Sequence, residues 1–352
     1  MPNKKLVQFL LNHNKKQSKI FSSPDAVLWR TQYRAQHPTE LAAMKCMDGR
    51  LNLAVMTNTP PGIIQPFRNI GGQFDLGWPY FGQVLDSWIM RAANLGRDSV
   101  VLVTYHWSKG DKHRGCRGFD YDVKAARVYT LNLKKQIERV FGKNHAVVYP
   151  ILLGIETDED ALLFEGENGR MLDVSSELET SQEKVEIKFR SLFPDMKEHV
   201  VQDLLPLVFG NTQHIREMKE VQRPVTILAH KEQILAVGRG FDWLHFPNKA
   251  LIIGPYSYDL GGPITTAANI LLENIKLKRI PKEEGVVLLA SGLYHDDAGS
   301  DKPRAIEKAH SLARFAQNTI ASAIPELLPH VQMLTGIVNF NTRLFTPSQA
   351  KK

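Results

Sequence analysis

The chain has 352 residues, 43% of them hydrophobic and 23% charged, with a formal net charge of +7. That length accommodates two domains with separate cores, the composition is that of a soluble globular protein, and no apolar run approaches the roughly 20 residues that cross a bilayer. Two cysteines exclude a disulfide framework, and the scattered lysines and arginines form no basic stripe interleaved with aromatics, so neither nucleic acid nor a membrane is an expected partner.

The N-terminus, "MPNKKLVQFLLNHNKKQSK", has lysines on both sides of a short apolar patch and lacks the apolar core and cleavage site of a signal peptide. An amphipathic surface helix is expected there, and a reducing cytoplasm is the default location. "AAMKCMDGRLNLAV" (42–55) follows: a small, apolar run that ends at Cys46, with Asp48 and Arg50 just beyond. "GQVLDSWIMRAANLG" (82–96) has helical spacing and ends at glycine, and "SVVLVTYHW" (99–107) reads as a strand buried on both faces. Residues 122–142 predict a helix and 145–155 another strand, so the pattern is an α/β sheet with parallel strands. Residues 156–186 are acidic and polar and predict a connecting or surface segment, after which "RPVTILAH" (223–230) opens a second apolar series.

That second series repeats the first. Arg239 follows Arg50, His295 follows His106 and Gly299 follows Gly110 by the same 189 residues. "IIGPYSYDLGG" parallels "IIQPFRNIGG", and "GVVLLASGLYH" parallels the strand ending at His106. The same offset places Leu235, Val237 and Ala305 opposite Cys46, Asp48 and Cys116, so the second copy lacks both thiols and the acid.

In the first copy, Cys46, His106 and Cys116 are the soft and borderline donors that zinc prefers. Cys46 and His106 fall at strand ends, where open α/β sheets gather their sites, and the charged loop "SKGDKHRG" can return Cys116 to them. Three protein donors leave a tetrahedral zinc one open position, as catalytic sites require. Asp48 can then accept a hydrogen bond beside the metal while Arg50 fixes its carboxylate. His113 is the alternative ligand, because His113-x-x-Cys116 has a common spacing. His106 has the stronger case: it ends the strand, is matched by His295, and lies in "TYH", which recurs as "LYH". Binding by both histidines would close the site and make it structural. The paired glycines Gly71 and Gly72 are expected to permit close backbone approach.

These residues carry a resemblance. "CMDGR" is similar to the Cys-x-Asp-x-Arg signature of the β-class carbonic anhydrases, and "RNIGG" (68–72) to their Arg-Asn-x-Gly segment. The long gap from His106 to Cys116, the intact and degenerate copies, and "GIETDEDA" (154–161) resemble the carboxysome shell subfamily. The chain departs from it in having only some 40 residues before the motif, which leaves association with a carboxysome shell open. The resemblance implies one zinc ion per chain, held by Cys46, His106 and Cys116, with Asp48 and Arg50 catalytic and Arg68, Asn69, Gly71 and Gly72 shaping the site. It implies reversible hydration of carbon dioxide to bicarbonate, with carbon disulfide or carbonyl sulfide hydrolysis, or a non-catalytic zinc-stabilised scaffold, as alternatives.

The expected fold class is α/β, a mainly parallel sheet flanked by helices and duplicated in one chain. Its expected parts are a helical arm over 1–40, a zinc-binding catalytic domain over 41–155, an acidic connecting segment with helices over 156–222 and a degenerate repeat over 223–345. Such a chain is pseudo-dimeric and can pair further into homodimers or larger assemblies.

Overall fold

The computed structural model describes residues 4–142, 147–221, 230–244, 246, 248–281 and 284–349. Its first part runs α1 (Lys4–Phe21), α2 (Pro24–Gln36), β1 (Glu40–Cys46), α3 (Leu53–Met56), β2 (Ile64–Asn69), α4 (Pro79–Asn94), β3 (Ser99–Trp107), α5 (Val123–Phe141) and β4 (Val148–Glu156). It continues with β5 (Ala161–Glu165), β6 (Met171–Asp173), α6 (Gln182–Leu192), α7 (Glu198–Glu220), β7 (Ile234–Gly238) and β8 (Ala250–Ile253). The last elements are α8 (Gly261–Lys276), β9 (Val286–Tyr294), α9 (Asp301–Ala323), β10 (Val331–Asn339) and β11 (Phe345–Pro347). The described residues fall into two compact units, one of 28–46 and 51–221, the other of 4–27, 47–50 and 230–349.

The first unit is built on a six-stranded sheet in the order β2-β1-β3-β4-β5-β6. Its first four strands are parallel, and β5 and β6 add to the edge as antiparallel strands. Strand β3 is buried at every residue but the last and β4 at all nine, which is why both read as unbroken apolar runs. Helix α5 packs on β3 and β4. The Asp122 carboxylate caps it by accepting the Lys124 and Ala125 N–H groups at 2.8 and 3.1 Å, and its buried face recurs at Ala126, Thr130, Leu133 and Ile137. Helix α4 begins earlier than its apolar spacing predicts, at Pro79, because proline in the first turn has no N–H to leave unpaired. Burying Leu85 and Ile89 on its inner face contributes about 1.5–3 kcal/mol each.

The acidic stretch expected to be a connection supplies β5 and β6 as well. Phe164 of β5 is fully buried edge-on to Phe189 of α6, with ring centroids 5.3 Å apart.

The second unit is built on a five-stranded sheet in the order β8-β7-β9-β10-β11, with four parallel strands and β11 antiparallel to β10. In both sheets, then, the second strand in sequence lies at one edge, followed by the first, third and fourth, and then an antiparallel strand. Helix α1 belongs to this unit and is more than a surface helix. Leu10 is fully buried with Ile234, Ala236, Leu289 and Phe345, and Asn14 one turn on donates to the Arg343 carbonyl at 2.9 Å and accepts the Phe345 N–H at 2.7 Å. The segment expected to open the second series at 223 lies outside the described residues up to 229. Among the described residues, no helix is long and apolar enough to cross a membrane.

Candidate metal centre

Parallel pairing places the ends of β1, β2 and β3 along one edge of the first sheet. Cys46, the last residue of β1, is in register with Asn69, the last of β2, while His106 is the penultimate residue of β3. Tyr105 and Trp107 pack with Ala126 of α5, so strand alternation sends His106 to the opposite face. Cys116 lies beyond a single 3-10 turn, Lys112–Arg114. The donor atoms of Cys46, His106 and Cys116 all lie within 4.8 Å of one another, and the residues are only 4%, 2% and 4% exposed. Among the described residues this is the only such group of three.

The donor set fits a metal ion. A tetrahedral zinc with bonds of about 2.0–2.3 Å holds its donors about 3.5–3.8 Å apart, within the span that these atoms keep. Neither ring nitrogen of His106 has a hydrogen-bond partner, although both are buried. An orphaned buried nitrogen costs about 1–3 kcal/mol, and a bound cation would satisfy one of the two. Neither cysteine is in a disulfide, and a thiol binds metal as its thiolate.

The backbone around the donors is clamped from within the same unit. Arg68 of β2 donates to the carbonyls of Cys46 at 3.1 Å and Leu51 at 2.8 Å, and the buried Lys45 amine donates to Leu51 at 2.9 Å. Asn69 donates to the Gln73 carbonyl at 2.7 Å, and Gln73 in turn donates to the Gly118 carbonyl at 2.9 Å, two residues after Cys116. Gly71 and Gly72 have φ of +59° and +66°, so glycine is required there. A Cβ on Gly71 would meet the Phe119 ring at 2.7 Å, and one on Gly72 would lie 3.0 Å from the Thr104 carbonyl. Arg68, Asn69, Gly71 and Gly72 thus tie the turn after β2 to the strand and turn that carry the two cysteines.

Asp48 and Arg50 are placed differently from Cys46, two and four residues away in sequence. Met47–Arg50 belongs to the second unit, where the Met47 carbonyl accepts Ile252 N–H at 2.7 Å and Gly49 N–H donates to Ala250 at 2.9 Å. A Cβ on Gly49 would be 2.5 Å from the Ala250 oxygen, which explains the glycine between the acid and the arginine. The Arg50 side chain grips both Asp48 oxygens, with contacts of 2.6–3.1 Å, and its N–H adds a fourth at 2.9 Å. Both side chains are almost wholly buried.

His230 interacts electrostatically with this pair. Burial pulls its pKa down, but the Glu232 carboxylate 2.6 Å from Nδ1 outweighs that; Arg50 lowers and Asp48 raises it by smaller amounts, and the net position is above the ordinary histidine value. Protonated His230 therefore stabilises the fold below the unfolded value of about 6.5 and loses that contribution as pH rises through its raised folded value. Glu232→Gln is expected to lower the His230 pKa in an NMR titration of the histidine rings; an unchanged value would remove Glu232 as the cause.

His113 is exposed, edge-on to Tyr121 at 5.1 Å between ring centroids, and is not in the donor group. Sequence reasoning passed over Glu156, Asp158, His230 and Glu232. Buried Glu156 accepts the N–H groups of Lys109, Asp158 and Glu159, and burial still holds its carboxyl above the usual range. The run of acids in "ETDED" was its only trace. No known family model matches the chain, and no curated protein does.

Proposed function

We propose that the chain is a zinc-dependent carbonic anhydrase, catalysing the reversible hydration of carbon dioxide to bicarbonate and a proton. The observation that carries the reading is the buried convergence of Cys46, His106 and Cys116 at the carboxyl ends of parallel strands. It is supported by the sequence likeness of "CMDGR" and "RNIGG" to β-class motifs. The shared strand order of the two sheets supports the duplicated architecture, with the second copy lacking the donors.

Cys46, His106 and Cys116 would hold the zinc, which when bound makes a water acidic enough to act as a nucleophile near neutral pH. Two thiolates offset the metal's charge and weaken that effect, so the surrounding residues matter more. By its likeness to the β-class signature, Asp48, whose carboxylate Arg50 orients, would be the hydrogen-bond acceptor for the attacking water. Arg68 holds the Cys46 and Leu51 carbonyls and so fixes the backbone that leaves β1 at the first donor. Two reduced thiols committed to a metal suit a reducing compartment such as the cytoplasm.

Stopped-flow hydration of carbon dioxide by purified, zinc-loaded protein tests the reading. Hydration proportional to bound zinc is the expected result. Zinc-loaded protein that turns over carbonyl sulfide or carbon disulfide but not carbon dioxide would redirect the substrate, and zinc without turnover of any of them would leave a scaffold.

A further inference from the structure

We propose that the acidic turn joining β4 to β5 is the positioning element of the metal loop, with Glu156 and Asp158 setting where Cys116 sits. The inference rests on the reading of Cys46, His106 and Cys116 as metal ligands. Two of these donors lie on strands and inherit the rigidity of the sheet. Cys116 alone is carried by a loop, ten residues beyond His106. Such a loop has entropy to lose before its donor is in place, so what orders it decides whether the third donor is available.

The ordering groups are two carboxylates. Glu156 ends β4 in register with Trp107, the residue after His106, and is 1% exposed. It accepts the Lys109 N–H from the loop at 2.9 Å and closes its own turn through the Asp158 and Glu159 N–H groups at 3.1 and 2.9 Å. Asp158 accepts the Ser108 hydroxyl at 2.8 and 2.9 Å and the Gly110 N–H at 2.7 Å, and it lies 3.5 Å from the Arg114 guanidinium. Thr157 N–H donates to the Trp107 carbonyl at 2.8 Å. The loop is thus held at residues 108, 109, 110 and 114, the last of them two positions before Cys116.

The turn is fixed on its other side. His214 of α7 lies 3.1 Å from the Asp160 carboxylate, and Asn211 donates to the Asp160 carbonyl at 2.8 Å while accepting Leu162 N–H at 3.0 Å. The acidic turn therefore transmits the fixed position of α7 and β4 to the loop. Hydrogen bonds to ionised carboxylates are about twice as strong as neutral ones, which suits acids to the task.

The test compares full-length wild type with Asp158→Ala and with Glu159→Gln, the Glu159 side chain lying 3.4 and 3.6 Å from the Lys109 and Lys219 ammonium groups. Zinc affinity is measured by chelator competition, and the thiolate charge-transfer absorption is recorded with Co2+ in place of zinc. Asp158→Ala should weaken zinc binding about 10–100-fold, the range found when groups that orient a metal ligand are removed. It should also lose one of two thiolate contributions to the Co2+ spectrum, a signature that mere loss of stability would not produce. Glu159→Gln should match wild type in both. Should Asp158→Ala fail to fold, Ser108→Ala removes one donor to the same carboxylate and should weaken zinc in the same direction. Affinity within about twofold of wild type with an intact two-thiolate spectrum overturns the proposal, as does an equal loss in Glu159→Gln. A wild type that binds no zinc overturns the metal reading and this inference together. Zinc binding that responds as described without carbon dioxide hydration sinks only the proposed activity.

Discussion

Cys46→Ala is expected to abolish zinc binding and carbon dioxide hydration together, taking metal content from one ion per chain to near zero. Cys46 is the donor with the least freedom to be replaced. It closes β1, is buried, and its own carbonyl is held by Arg68 at 3.1 Å, which fixes the backbone that carries its sulfur. Its removal leaves one thiolate and one imidazole, too few to hold zinc in a catalytic site. The fold should survive. β1 remains paired with β2 from Leu41 to Cys46 and with β3 from Glu40 to Met44, and removal of one thiol group falls within the ordinary mutational cost of about 1 kcal/mol. Elemental analysis, stopped-flow assay and a circular-dichroism melt on the same preparation check all three statements. Stoichiometric zinc in this variant would show that the donor set is different.

Asp48→Asn is expected to retain zinc and lower the hydration rate by about 10²-fold or more, the scale of a positioned proton-handling group. The amide keeps an acceptor oxygen for Arg50 but loses the charge and the second carboxylate oxygen that the proposed role of Asp48 requires. Arg50→Ala should do more damage to the fold than to the metal, because it leaves the Asp48 carboxylate buried beside Leu251 without its partner. Removing one member of a buried ion pair costs about 3–5 kcal/mol, so the urea midpoint should fall clearly for Arg50→Ala and less for Asp48→Asn. Zinc analysis, rate and urea unfolding of the two variants separate these effects. An Asp48→Asn enzyme with an undiminished rate would remove Asp48 from the mechanism.

Legibility in the sequence follows the range of the interactions. The strand expected over 99–107 is β3 over the same residues, and the helix expected over 122–142 is α5 over Val123–Phe141, because continuous burial and a 3.6-residue period are written locally. The short strands β5 and β6 were hidden in an acidic stretch. Strands of three to five residues have too few positions to show a period, and pairing of β5 to β4 and of β6 to β5 supplies what holds them. The N-terminal amphipathic pattern revealed a helix but not its burial, since the partners of Leu10 and Asn14 lie more than two hundred residues away in sequence.

The amino-acid order by itself determined the local chemistry: a thiol at the end of an apolar run, an acid and an arginine separated by the glycine that their backbone requires, and two series of alternating strands and helices. Only the tertiary structure decided which histidine lies with the two thiols, because strand register places His106 beside Cys46, whereas the exposed turn keeps His113 against Tyr121. It likewise gave the acidic turn its contacts with the metal loop, and the 47–50 segment its place on β8. Residue spacing encodes what neighbours in the chain can do. The meeting of donors from separate strands depends on hydrogen bonds and packing between residues tens to hundreds of positions apart, which no local pattern records.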